Sequence, residues 1–265
     1  MDSPILPQRI ICLTEESVEL LYLLGESQRI VGVSQFAMRP KEVRVEKKVV
    51  SVFTHANQKK ILELRPDLVI GYSDIQKDIA RDLINLGLNV WISNHRTLQE
   101  TINYCYALAS LVGAGEKFSP LYQSWLEKMR EAESFVSKFP RKPRVYLEEW
   151  DEPLISGISY FSELIELCGG TDIFSELRSG FLAKERFPLE SEIIKRDPEI
   201  ILPCWCGKKV DIQSIKQRDG WHQVSAVRNS RIFELPPEIF LQPGPALFES
   251  GIEYILDIFR KISLE

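Results

Sequence analysis

Histidine is scarce in this sequence, and basic residues form no long run. The three histidines, His55, His95 and His222, lie far apart without a metal-ligand spacing, and Cys204-Trp205-Cys206 alone is not a zinc pattern. His95 and His222 are expected on the surface or in loops. Five cysteines, Cys12, Cys105, Cys168, Cys204 and Cys206, are odd in number and scattered, which excludes a disulfide framework. With 33 basic and 38 acidic side chains and a formal net charge of -5, no Lys/Arg-rich run offers a concentrated face to nucleic acid or an anionic membrane. No apolar stretch approaches the roughly 20 residues that cross a bilayer. Gly-x-Gly-x-x-Gly and Gly-x-x-x-x-Gly-Lys-[Ser/Thr] are both missing, so nucleotide phosphates have no loop to sit in. Ser156-Gly157-Ile158-Ser159 and Gly169-Gly170 do not form a nucleophile elbow.

What remains is an ordinary globular composition, 44% hydrophobic over 265 residues, enough for one large domain or two lobes with cores of their own. The start, Met1-Asp2-Ser3-Pro4-Ile5-Leu6-Pro7-Gln8, lacks the basic region and apolar core of a secretory signal. A cytoplasmic location is therefore expected, with the periplasm or cell surface as the alternative if the start is trimmed. Short apolar runs at Ile10–Leu13, Arg29–Val33, Leu68–Ile70 and Asn89–Ile92 read as strands. They alternate with helical stretches at Asn57–Leu64, Ile75–Leu86 and Leu98–Val112, the pattern of a parallel α/β lobe. Ser119-Pro120 reads as a helix start, and nothing interrupts the pattern until Pro140, which predicts one helix of about 20 residues, roughly 30 Å long. Beyond it, alternation resumes with a strand from Arg144 to Glu148, a helix over Glu163–Cys168, strands at Ile200–Leu202 and Arg231–Phe233, and a closing helix from about Pro245 to Ile262. The expected units are thus an amino-terminal lobe over 1–113, a bridging helix over 114–139 and a carboxyl-terminal lobe over 140–265.

One segment occurs twice. Ile61-Leu-Glu-Leu-Arg-Pro66-Asp67-Leu-Val-Ile70 aligns without gaps on Ile193-Ile-Lys-Arg-Asp-Pro198-Glu199-Ile-Ile-Leu202. Each reads as a helix end, a Pro-acid turn and a buried strand; a repeated lobe and a commonplace αβ turn both account for it. Two lobes on one helix leave a cleft, a usual place for a ligand.

Several segments carry a family resemblance. Arg9-Ile-Ile-Cys-Leu-Thr-Glu-Glu-Ser-Val-Glu19, Arg29-Ile-Val-Gly-Val-Ser34, the Ile61–Ile70 segment, Glu163-Leu-Ile-Glu-Leu-Cys-Gly-Gly-Thr-Asp-Ile-Phe174, Arg196-Asp-Pro-Glu-Ile-Ile201 and Val227-Arg-Asn-Ser-Arg-Ile-Phe233 follow one another in order along the chain. Together they resemble the ABC-transporter substrate-binding proteins for cobalamin, ferric siderophores and haem. Trp150-Asp-Glu-Pro153, Ser156-Gly157, Pro203-Cys204 and Gln242-Pro-Gly-Pro245 resemble the cobalamin-binding branch most. The resemblance implies two Rossmann-like α/β lobes with parallel sheets, joined by a single long backbone helix, that hold a ligand between them with little hinge motion. It also implies a monomer without a resident cofactor.

In that family aromatic side chains from both lobes hold the corrin ring, and the matching loops here carry Phe36, Phe53 and Tyr72, then Trp150, Phe187, Trp205 and Phe240. Loops after the carboxyl ends of parallel strands line the crevice of such sheets, which places Tyr72, Trp150 and Trp205 there independently. Ordinary core packing is the alternative for each. Glu238 and Gln242 fall where relatives carry an acid and a basic residue near the ring amides. Gln242 is neutral, so it can bond carboxamides but weakens the hold on carboxylates. His55 follows Phe53 and is a candidate axial contact to cobalt or iron. The resemblance also implies a docking glutamate on each lobe, seven residues before the proline of the Pro-acid turn. Those positions hold Lys59 and Ser191, with Glu190 and Glu192 flanking the second; docking onto an importer permease is therefore expected to be altered.

The leading expectation is reversible, non-catalytic binding of a cobalamin-like corrinoid, by the substrate-binding protein of an ABC importer or by an intracellular relative. Haem or a ferric siderophore is the alternative, and basic contacts from Arg39 or Arg186 would favour it. An enzyme or regulatory domain using Cys204, Cys206 and the Glu148–Asp151 acids is the third reading.

Overall fold

Alternating strands and helices assemble here into two α/β units, seen in a computed structural model that describes residues 6–137 and 141–263. Unit 1 holds the residues up to His95, with Gln99–Ser124 and Gln242–Ala246. Unit 2 holds Arg96–Leu98, Trp125–Leu241 and the residues from Leu247 onward.

In unit 1 the strands are β1 (Ile10–Cys12), β2 (Ile30–Ser34), β3 (Lys48–Val52), β4 (His55–Ala56), β5 (Leu68–Tyr72) and β6 (Val90–Ser93), in the sheet order β4-β3-β2-β1-β5-β6. All pairings are parallel except the β3–β4 hairpin. The helices α1 (Glu15–Leu23), α2 (Val43–Glu46), α3 (Gln58–Glu63) and α4 (Lys77–Asn85) connect them, and α5 (Leu98–Leu111) follows. Ile11, Leu13 and Val69 from the sheet pack with Ile61 and Leu83 from the helices, the buried apolar stripe that makes each element stable. The strand Lys48–Val52 was not anticipated. It sits second from the sheet edge with Lys48 and Val49 exposed, so its outer half lacks the apolar signature of an inner strand.

The long helix α6 runs over Gly115–Val136, 22 residues, and passes from unit 1 to unit 2 after Ser124. It begins earlier than Ser119-Pro120 suggests. Gly113, left-handed at φ 71°, ends α5 with Gly113 N–H donating to Ser110 O and Ala114 N–H to Ala109 O. Ala114 O then accepts from Lys117 and Phe118, opening the next helix at once. Pro120 therefore lies inside the helix, where it withholds one N–H, and Ser119 caps nothing. The stop expected at Pro140 falls outside the described residues.

Unit 2 contains β7 (Arg144–Glu148), β8 (Trp150–Asp151), β9 (Leu154–Ile155), β10 (Thr171–Asp172) and β11 (Ile200–Pro203), with a parallel sheet β10-β7-β11 and a β8–β9 hairpin. Its helices are α7 (Ser159–Leu167), α8 (Glu190–Arg196), α9 (Ile212–Lys216), α10 (Ser225–Arg228), α11 (Pro237–Phe240) and α12 (Ile252–Ser263). The strand expected at Arg231–Phe233 is reduced to a single bridge, Ile201 to Ile232. The closing helix starts as a π-helical stretch, Leu247–Gly251, before α12. There Phe248 stacks on Trp125 at 4.8 Å, and Trp125 Nε1 donates to Glu249.

The twice-occurring segment folds the same way both times. Its equivalent positions Arg65 and Asp197 are both left-handed, at φ 46° and 45°. In unit 1 the Arg9 guanidinium donates to the helix-end carbonyls of Leu64 and Arg65, while Asp67 and Arg9 exchange backbone and carboxylate bonds. In unit 2 the Arg144 guanidinium donates to the equivalent carbonyls of Arg196 and Asp197, and Glu199 takes the place of Asp67. This shared clamp favours a repeated lobe over a commonplace turn. Arg144→Ala is expected to lower the unfolding free energy by about 1–2 kcal/mol, since orphaned helix-end carbonyls lose charge-assisted bonds. Arg144→Lys, which lacks the planar fork, recovers less than half of that in urea titrations.

Candidate functional site

Parallel strands point all their carboxyl ends the same way, so within each unit one sheet edge gathers the loops that can meet a ligand. In unit 1 those loops begin at Leu13, Gln35, Phe53, Ser73 and Asn94. Phe36 and Phe53 are half-buried there, Phe53 at the tip of the β3–β4 hairpin, and His55 beside it is exposed. Tyr72 is 7% exposed; its hydroxyl donates to His95 O at 3.0 Å, and its ring meets the His95 ring edge-on at 4.9 Å.

His95, expected at the surface or in a loop, lies in the loop after β6 and is buried. Its ring stacks on Tyr104 at 4.3 Å, Nε2 lies 2.7 Å from Pro243 O, and Nδ1 lies 2.8 Å from Ser93 Oγ. Because a carbonyl only accepts, Nε2 carries the proton. His222 is exposed, as expected. Pro243 belongs to the segment Gln242–Ala246, which also brings buried Gln242 into unit 1 and sets Gly244 against Glu16. A Cβ on Gly244 would fall 2.4 Å from Glu16 Cβ, so only glycine fits.

Glu16 is the unusual group of this edge. It is buried, Thr14 Oγ1 donates to its Oε1 at 2.5 Å, and the Tyr104 hydroxyl lies 3.4 Å away. Burial, and then the neighbouring Glu15 carboxylate, push its pKa up to about 8. Glu19 is neutralised by Arg39, 2.9 Å away.

In unit 2 the edge carries Trp150 after β7 and Trp205 after β11. Glu148 beneath them is fully buried, with Arg218 reaching both its oxygens at 2.6 and 2.9 Å and Trp205 Nε1 donating at 3.1 Å. Burial raises its pKa, and Arg218 opposes the rise. Glu149 pairs with buried Arg186 at 2.8 Å, and Asp151 pairs with Lys208 at 2.6 Å. The acids suggested for proton transfer are thus each tied to a cation. Burial drives the Cys204 thiol well above its ordinary range, which disfavours its thiolate, while Cys206 is exposed.

The remaining candidates divide by exposure. Phe187 is 43% exposed, and Glu238 is exposed on α11. Phe240 is fully buried between Phe161 and Tyr254, so packing accounts for it. Lys59 on α3 and Glu190 and Ser191 on α8 are exposed, while Glu192 pairs with Lys195 at 3.1 Å. Among the described residues no group of three His, Cys, Asp or Glu side chains could hold a metal ion. Lys208 and Arg218 escaped the sequence reading: neither lies in a motif, and only the fold brings them to the tryptophans.

A family model described as periplasmic binding protein matches residues 10–239. An ABC transporter substrate-binding lipoprotein of Bacillus subtilis is 24% identical over 261 residues, covering 95% of this chain and 79% of the relative. A vitamin B12-binding protein of Vibrio cholerae is 25% identical over 254 residues, covering 93% and 87%. The crystal structure of the periplasmic vitamin B12-binding protein of that organism superposes with a TM-score of 0.76 at 21% identity, covering 99% of this chain and 100% of the other. A periplasmic haem-binding protein from Roseiflexus superposes with a TM-score of 0.81 at 18% identity, covering 96% and 98%. The fold is therefore two Rossmann-like α/β lobes joined by a long helix, as the sequence led us to expect. The cytoplasmic location is overturned: the matching family is periplasmic and the Bacillus relative is a lipoprotein, which points outside the cytoplasmic membrane. The expectation of an intracellular relative falls with it.

Glu16 sets a pH dependence. Its folded pKa is raised above the unfolded value, so its contribution to stability is fully present below about pH 4.5 and is lost as pH rises through about 8. Glu16→Gln, which keeps the bonds to Thr14 and Tyr104, is expected to melt higher than wild type at pH 8 and to flatten the decline in Tm between pH 5 and 8. Parallel melting curves of the two proteins across that range would contradict this assignment.

Proposed function

The chain belongs to the periplasmic binding protein family, whose members bind solutes for ABC importers without catalysis, and within it we propose that this protein binds a cobalamin-like corrinoid. One observation carries the reading. Near the carboxyl edges of the two sheets Phe36, Phe53, Trp150 and Phe187 are half-buried or exposed, Tyr72 and Trp205 are buried behind them, and three basic side chains are matched by acids. Arg39 answers Glu19, Arg186 answers Glu149, and Lys208 answers Asp151. A large flat ring gains apolar burial and stacking from such edges without needing a counter-charge. A ligand rich in carboxylates finds its would-be arginines occupied. Gln242 and Glu238 suit carboxamide side arms, which both donate and accept. The likeness to a vitamin B12-binding protein over 93% of the chain supports the same ligand.

Haem is the second reading, favoured by the exposed imidazole of His55 next to Phe53, a ready axial ligand. Importer docking would use Glu190 on unit 2, whereas Lys59 on unit 1 presents the opposite charge.

Calorimetry and visible absorbance with cyanocobalamin and dicyanocobinamide test the reading. One-to-one binding is expected, and Trp150→Ala should weaken it about fivefold, the contribution of one aromatic contact. No heat and no band shift with either corrinoid, together with a hemin Soret shift abolished by His55→Ala, would replace it with haem.

A further inference from the structure

Two indoles of unit 2 hold a cation that belongs to the chain itself. Lys208 Nζ lies 4.4 Å from the ring centroid of Trp150 and 4.8 Å from that of Trp205. The same ammonium is 2.6 and 2.8 Å from the two oxygens of Asp151. A cation is drawn to an indole face by the ring quadrupole, so the lysine is held from three sides. Trp150 and Asp151 form β8, whereas Trp205 and Lys208 flank Cys206-Gly207 in the loop after β11. The Lys208 side chain is 43% exposed and that of Asp151 20%, so both charges are open to a molecule lying beside Trp150.

Resting on the corrinoid reading above, we propose that the Lys208–Asp151 pair sets the charge class of the ligand, accepting a ring decorated with neutral carboxamides and rejecting one that carries carboxylates. The pair is neutral as a whole but offers both signs to whatever lies on the tryptophan. A carboxamide can donate its N–H to Asp151 and accept from Lys208, so it bridges the pair without leaving either charge unmatched. A carboxylate reaches Lys208 only by facing Asp151, and like charges brought together at a binding surface are penalised. The side chain that excludes carboxylates is therefore Asp151, and the one that would welcome them is Lys208. This explains how an aromatic site containing a lysine can still prefer an uncharged ring.

The test compares two ligands with the same ring and metal, dicyanocobinamide with its amide arms and dicyanocobyrinic acid with carboxylate arms. Wild-type protein is expected to bind the amide form more tightly. Asp151→Asn, which keeps shape but removes the negative charge, should move the ratio of the two dissociation constants at least about fivefold towards the acid form. Lys208→Met, which keeps the stem on the indoles, should move it the opposite way. Should both variants melt like wild type and bind with its ratio unchanged, the pair does not select charge and the inference fails alone. A wild-type protein that binds neither corrinoid overturns the ligand reading itself, and this inference with it.

Discussion

In each unit one arginine closes the turn on which the carboxyl edge of the sheet depends. A helix ends with carbonyls that have no partner of their own, and the next strand must enter the sheet within a few residues. Arg9 and Arg144 resolve both demands, because a guanidinium spans two neighbouring carbonyls while its own backbone bonds the acid of the turn. The first strand is thereby locked beside the one that follows the turn, Ile10 opposite Leu68 and Val145 opposite Ile200. That register decides where the strands end, and so places Tyr72 in one unit and Trp150 and Trp205 in the other.

Around these edges, charge is cancelled locally. Glu148 with Arg218, Glu149 with Arg186, Asp151 with Lys208 and Glu19 with Arg39 form four opposed pairs. Glu16, which pairs with no cation among the described residues, has its pKa pushed up to about 8, first by burial. Both devices have the same result: the edges offer aromatic surface and hydrogen-bonding groups with little net field. Such a surface suits a large ring with neutral arms better than a small anion, whose recognition depends on unmatched positive charge.

Much of this architecture was legible in the sequence, because inner parallel strands read as unbroken apolar runs and the Pro-acid turn occurs twice. What stayed hidden depends on distant residues. Lys48–Val52 is half exposed and looks polar at its start. Ser119-Pro120 has the chemistry of a helix start, but the left-handed Gly113 begins the helix a turn sooner. His95 is the loop residue it looked like, but its burial stayed hidden because nothing nearby announces its partner, Pro243, which lies 148 positions away. Lys208 is unremarkable until Trp150, Asp151 and Trp205 are brought around it.

The segment Gln242–Ala246 has a different kind of consequence. Unit 1 is not contiguous: its first residues precede the long helix, yet Pro243 and Gly244, which cover His95 and Glu16, come from near the other end of the chain. Arg96–Leu98 makes the opposite excursion into unit 2. The two units are thus interleaved in sequence, and no single cut in the chain separates them. A hybrid that swapped the halves at the helix would take its cover over Glu16 from a different parent, so the Glu16 pocket belongs to the whole chain rather than to one half.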